Sequence, residues 1–102
     1  MPSTVVYREE DEKPDRSRYE MVAWQVPVSE DFPQGLKYSF QYIDADGDTL
    51  LRYDNAPYHL DVGRNHRHMH EGDIEKLEFT GLSDLIDDFQ TEVNEIYERR
   101  TD

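Results

Sequence analysis

The feature that most constrains this chain is the run from Lys37 to Asp54, in which aromatic and polar residues alternate on either side of an Asp-Gly turn. Tyr38, Phe40 and Tyr42 fall on one side of an extended segment, and Lys37, Ser39 and Gln41 on the other. A period of two is the mark of a strand with one buried face. Asp46-Gly47 then supplies the strongest short hairpin signal, because both central residues of a type I′ turn need positive φ. Taken as a two-residue turn, it pairs Tyr42 with Leu51, Gln41 with Arg52, Phe40 with Tyr53 and Ser39 with Asp54. One face of the hairpin is then aromatic and aliphatic, and the other presents Gln41, Arg52 and Asp54. The carboxylates of Asp44, Asp46 and Asp48 alternate as in a calcium loop. However, an EF-hand needs about 12 loop residues, a final bidentate Glu and flanking helices, whereas strand patterns flank this segment.

The rest of the chain is read against that hairpin. Thr4 to Tyr7 has the makings of a short strand, and Arg8 to Arg18 reads as a charged, mobile loop because it is acid-rich and contains Pro14. Val22, Trp24, Val26 and Val28 alternate with Ala23, Gln25 and Pro27, which predicts a half-buried strand placed at an edge or ended by Pro27. Ser29 to Gly35 is a turn, and Leu77 and Phe79 alternate with Lys76 and Glu78 as a last strand. From Leu82 the spacing changes to 3.6, with Leu85, Ile86, Phe89, Val93, Ile96 and Tyr97 on one stripe. Ser83 is the expected N-cap, the aspartates at 84, 87 and 88 suit the positive end of the helix, and Arg99 and Arg100 the negative end. The expected fold is α+β: a small antiparallel sheet of about four to five strands with a C-terminal amphipathic helix packed on one face. At 102 residues the chain suffices for one domain, 1–102, and one modest core.

Charge decides where function is sought. The chain carries 24 acids against 11 bases, a formal charge of -13, and only three of the bases are lysine. Acids spread along the whole chain read as adaptation to molar salt, where repulsion is screened within about 3 Å, rather than as an acidic tail. The window from Arg52 to His70 departs from this background. It holds Arg52, Arg64 and Arg67 against Asp54 and Asp61, together with all four histidines. Zero cysteine excludes disulfides and thiolate chemistry. No run of about 18 apolar residues and no signal-peptide core is present, so a cytoplasmic protein without membrane contact is expected.

Two chemistries suit the window. His66, His68 and His70, in steps of about 6.5 to 7 Å on one side of an extended segment, have the spacing at which neighbouring imidazoles share a divalent metal, with Asp54, Asp61 or His59 as further ligands. Metal-free RNA cleavage needs a base for the 2′-hydroxyl, an acid for the leaving oxygen and a cation for the phosphorane. His68 and His70 form a proton-transfer pair and Arg52 a phosphate clamp fixed by Asp54. Asn55, Tyr58, His59 and Arg67 complete the set as substrate-binding residues, Tyr58 by stacking on a base. This reading needs no cofactor.

The motifs also resemble a family. Tyr38-Ser39-Phe40-Gln41-Tyr42, the Asp46-Gly47-Asp48 turn, Arg52-Tyr53-Asp54-Asn55-Ala56-Pro57-Tyr58-His59, then His68-Met69-His70 and an amphipathic C-terminal helix are similar to the TumE-type toxins over about residues 36–96. The family hallmark has a histidine where Tyr58 stands, and Asn65 to His70 matches its second, histidine-rich motif in part. Arg52, Asp54, Asn55, His59, His68 and His70 carry over by position. The resemblance implies the toxin component of a type II, two-gene toxin–antitoxin module whose partner is a helix-turn-helix antitoxin. Two other readings stay open from the residues alone: a non-enzymatic module that regulates by binding a protein, and a histidine-rich metal-binding protein.

Overall fold

The computed structural model describes residues 3–56, 63, 65–69 and 72–101. Among these, six strands run β1 (Thr4–Glu12), β2 (Arg18–Gln25), β3 (Leu36–Ile43), β4 (Thr49–Asp54), β5 (His66–Met69) and β6 (Ile74–Lys76), followed by α1 (Leu82–Thr101). The strands form one antiparallel sheet in sequence order, β1-β2-β3-β4-β5-β6. The α+β class is as expected, with one or two more strands than the sequence suggests.

The difference comes from two polar stretches, one that lengthens β1 and one that forms β5. Arg8 to Glu12, expected in a loop, continues β1 and pairs with β2 out to Glu12↔Arg18. The connection is confined to 13–17, where Lys13 N–H donates to Ser17 O and Arg16 N–H to Lys13 O. A charged edge strand is a known device against unwanted strand addition, and it hides period two from a hydropathy reading. The segment His66–Met69 pairs on both sides, with β4 and with β6. At the far end β6 stops at Lys76. Leu77 and Phe79 follow it as partly buried residues packed against the core, with Leu77 N–H still donating to Asn65 O at 2.9 Å.

The β3–β4 hairpin has the expected pairs, Tyr42↔Leu51, Gln41↔Arg52, Phe40↔Tyr53 and Ser39↔Asp54, but reaches them by a different turn. Gly47 N–H donates to Asp44 O and Asp44 N–H to Asp48 O, and only Gly47, at φ 91°, takes a positive φ there. This is a three-residue loop closed by a left-handed glycine rather than a type I′ turn. Its extra residue is offset by a bulge at Leu50, since Ile43 pairs with Thr49 while Tyr42 pairs with Leu51. Both Leu50 and Leu51 are buried in the core as a result.

One helix covers one face of the sheet. Its Leu85, Phe89 and Val93 pack on Met21, Ala23, Tyr38, Phe40, Tyr42, Leu50, Leu51 and Tyr53. Phe89 is the keystone, with its ring 5.5 Å from Phe40 and 5.1 Å from Tyr53 in edge-on geometry. In β2 the inward set is Met21 and Ala23, so Val22 and Trp24, read from the sequence as the buried alternation, lie on the opposite face. There Lys37 Nζ sits 5.6 Å over the Trp24 ring. The helix starts one residue before the expected cap. Leu85 N–H donates to Gly81 O, which puts Gly81 at the cap and Ser83 inside the first turn.

Phe89→Ala removes the ring that joins the two layers and is expected to lower the unfolding free energy by about 3–5 kcal/mol. Urea denaturation followed by circular dichroism measures this.

Candidate functional site

Alternation along β4 and β5 decides what the uncovered face carries. Leu51 and Tyr53 turn inward, so Arg52 and Asp54 turn outward. Arg67 reaches Glu92 of α1, so His66 and His68 face away from the helix. The register then sets Arg52 opposite His68 and Asp54 opposite His66. Gln41 and Ser39 of β3 flank them on the other side. Three side chains from two adjacent strands, Arg52, His66 and His68, thus converge on the carboxylate of Asp54.

Asp54 is 4% exposed although it lies on the uncovered face. Burying a carboxylate is costly unless it is paired and hydrogen-bonded. Here Arg52 Nε lies 2.9 Å from Oδ2. On the other oxygen, His66 Nδ1 lies 3.2 Å and His68 Nε2 3.6 Å from Oδ1. His66 is fully buried and is held from behind by Gly63, whose carbonyl lies 2.6 Å from its Nε2. The His66 and His68 rings are edge-on, 6.1 Å apart.

The two less buried members face solvent. Arg52 is 42% exposed and His68 24%. They line an open recess of about 520 Å³ with Asp48, Thr49, Met69 and Gly72. Burial lowers the His68 pKa below the ordinary histidine value. Asp54 opposes that shift, while Arg52 and His66 add to it. His68 is therefore an uncharged imidazole at neutral pH, able to take a proton. A separate recess of about 380 Å³ between β1, β2 and β3 is lined by Glu10, Asp11, Glu12 and Glu20 beside Arg18. Its charge repels a phosphate.

The structure brings together Arg52, Asp54 and His68 of the expected catalytic set, and adds His66. His70, Tyr58 and His59 lie outside the described residues. Asn55 is buried and spent on the fold. Its Nδ2 donates to Leu36 O at 2.7 Å and its Oδ1 accepts from Tyr38 N–H at 2.9 Å, which extends the β3–β4 ladder past Asp54. Arg67 is on the helix side of the sheet. Its Nε donates to both carboxylate oxygens of Glu92, at 2.8 and 3.0 Å, and it also pairs with Glu75. It does not join Arg52 and His68. The Gly63 carbonyl that holds His66 has no sequence signal, since it is a backbone atom of a loop.

Asp54, His66 and His68 each offer one metal-ligating atom, and these atoms lie within 4.8 Å of one another. Among the described residues no helix is long and apolar enough to cross a membrane.

The His68 balance can be read by NMR in EDTA-treated protein. Its titration midpoint is expected below 6.5, to rise in Arg52→Gln as a nearby cation is lost and to fall in Asp54→Asn as the opposing anion is lost. Shifts in the reverse sense would contradict this geometry.

The sequence matches the family described as toxin TumE over residues 3–97. No curated protein and no solved structure matches it.

Proposed function

The chain belongs to the TumE toxin family, and from that premise we propose that it is the toxin of a type II toxin–antitoxin module and acts on RNA through Arg52, Asp54 and His68. A toxin family implies an antitoxin partner. The proposed partner is a helix-turn-helix protein, and the proposed compartment is the cytoplasm, where RNA and such a partner meet. The observation that carries the RNA reading is the buried Asp54 carboxylate holding a solvent-facing guanidinium on one oxygen and facing a neutral imidazole with the other.

In the proposed reaction His68 takes the proton of a ribose 2′-hydroxyl on Nδ1, since its Nε2 is shut off from solvent beside the Asp54 carboxylate. The oxygen attacks the adjacent phosphorus, a 2′,3′-cyclic phosphate forms, and the bond to the 5′-oxygen breaks. Arg52 offers its fork to the phosphorane oxygens as their charge grows. Asp54 positions Arg52 and stabilises His68 once it is protonated. The leaving oxygen takes its proton from a second acid, for which His70 is the candidate on sequence grounds.

The acid-rich scaffold is in keeping with a saline cell, so assays belong in molar potassium chloride. Nonspecific phosphate attraction is largely lost there. Binding must then rest on stacking and directed hydrogen bonds.

A second reading, a non-enzymatic regulator acting by protein contact, has one observation behind it. Val5, Val6 and Val28 are exposed at 52%, 48% and 75%, and Val6 and Val28 border an apolar recess with Val26, Leu36, Phe79 and Leu82. Such a patch is a usual mark of a protein-binding surface.

Purified protein incubated with RNA in molar potassium chloride is expected to cut it. His68→Ala should slow cutting by about 10²- to 10⁴-fold, and Arg52→Ala should slow it as well, with circular dichroism confirming that both stay folded. Intact RNA in every sample, with growth arrest by the wild type and by both variants, would favour the protein-contact reading.

A further inference from the structure

His66 lies between a backbone carbonyl and the Asp54 carboxylate. The Gly63 carbonyl can only accept, so the 2.6 Å contact requires His66 Nε2 to carry the proton. In a neutral ring that leaves Nδ1 with a lone pair, aimed at Asp54 Oδ1 from 3.2 Å. Two acceptors face each other in a fully buried setting unless a proton or a metal ion sits between them.

Geometry bears on which. A tetrahedral zinc site with bonds of about 2.0–2.1 Å has ligand–ligand edges of about 3.3–3.4 Å. The Oδ1–Nδ1 and Oδ1–Nε2 separations, 3.2 and 3.6 Å, bracket that edge. All three ligand atoms lie within 4.8 Å of one another. The support behind the ligands is also that of a metal site. The second ring nitrogen of His66 is bonded to a backbone carbonyl, and the second oxygen of Asp54 is held by Arg52. Among the described residues two cations oppose binding, Arg52 and Lys76, the latter paired with His66 across β5 and β6. Both reach solvent, at 42% exposure for Arg52 and as an exposed residue for Lys76, so their repulsion is screened.

We propose that Asp54 Oδ1, His66 Nδ1 and His68 Nε2 form a three-ligand site for a divalent transition metal, zinc fitting best. The donor set of two imidazoles and one carboxylate favours zinc over calcium or magnesium, which prefer oxygen. Where this inference rests on the proposed RNA chemistry, it adds regulation of the same site. A neutral imidazole that ligates a metal through Nε2 carries its proton on Nδ1, so a bound metal stops His68 from taking the 2′-hydroxyl proton.

The test uses the full chain without a histidine tag, stripped with EDTA and dialysed against zinc chloride, with bound metal read by elemental analysis. About one zinc per chain is expected. His68→Gln, at a partly exposed position that tolerates change, should weaken binding by at least about tenfold, since even an outer-shell partner is worth that much. An unchanged circular dichroism spectrum excludes misfolding as the cause. No bound zinc in the wild type, or equal binding in His68→Gln, overturns the site. The regulatory step is read separately. If the stripped protein cuts RNA, equimolar zinc is expected to suppress cutting, and unchanged cutting with zinc bound overturns that step while leaving the site standing.

Discussion

The edge-on packing of Phe89 against Phe40 and Tyr53 fixes which face of the sheet is covered. A single helix can shield only one face of a six-stranded sheet. Once the Tyr38, Phe40 and Tyr42 side is chosen, strict alternation sends Ser39, Gln41, Arg52, Asp54, His66 and His68 to the other. Cross-layer polar contacts reinforce the choice. Arg67 holds Glu92, Gln90 donates to Glu9 at 2.6 Å, and Lys13 donates to Asn94 at 2.9 Å. The polar cluster is thus a consequence of the apolar one, and its precision comes from strands rather than loops.

On the open face the burial of Asp54 organises the rest. An isolated carboxylate there would take up a proton or remain hydrated. Instead Arg52 occupies one oxygen and two imidazoles face the other. The same carboxylate can position a proton-transferring His68 or anchor a metal, and both proposed uses meet at the His68 ring. The net charge of -13 does not describe this surface. Lys37, Arg52 and Lys76 lie on the open face, while many of the acids lie along β1 and α1.

Legibility in the sequence follows hydrophobic contrast. The β3–β4 pairing is readable because three aromatics alternate with polar residues, and the register comes out right although the turn does not. The three-residue loop and the Leu50 bulge cancel each other, and no local signal marks either. The far half of β1 is hidden because Arg8 to Glu12 are charged on both faces. In β2 the inward side is misread because Val22 and Trp24 are larger than the buried Ala23. Period two in His66, Arg67 and His68 already implies that Arg67 faces opposite the histidines, although its charge groups it with them. Asn55 serves the backbone, which its place in a motif does not reveal.

If the Asp54 carboxylate on the uncovered face is the working centre of this TumE-family protein, its charge is required for any effect on growth. Asp54→Asn keeps the side chain's size and removes its charge, and induced expression in a host lacking any antitoxin measures the consequence directly. Growth arrest by the wild type and normal growth with the variant, which remains folded by circular dichroism, are expected. Arrest by a folded Asp54→Asn protein equal to that of the wild type would contradict that requirement.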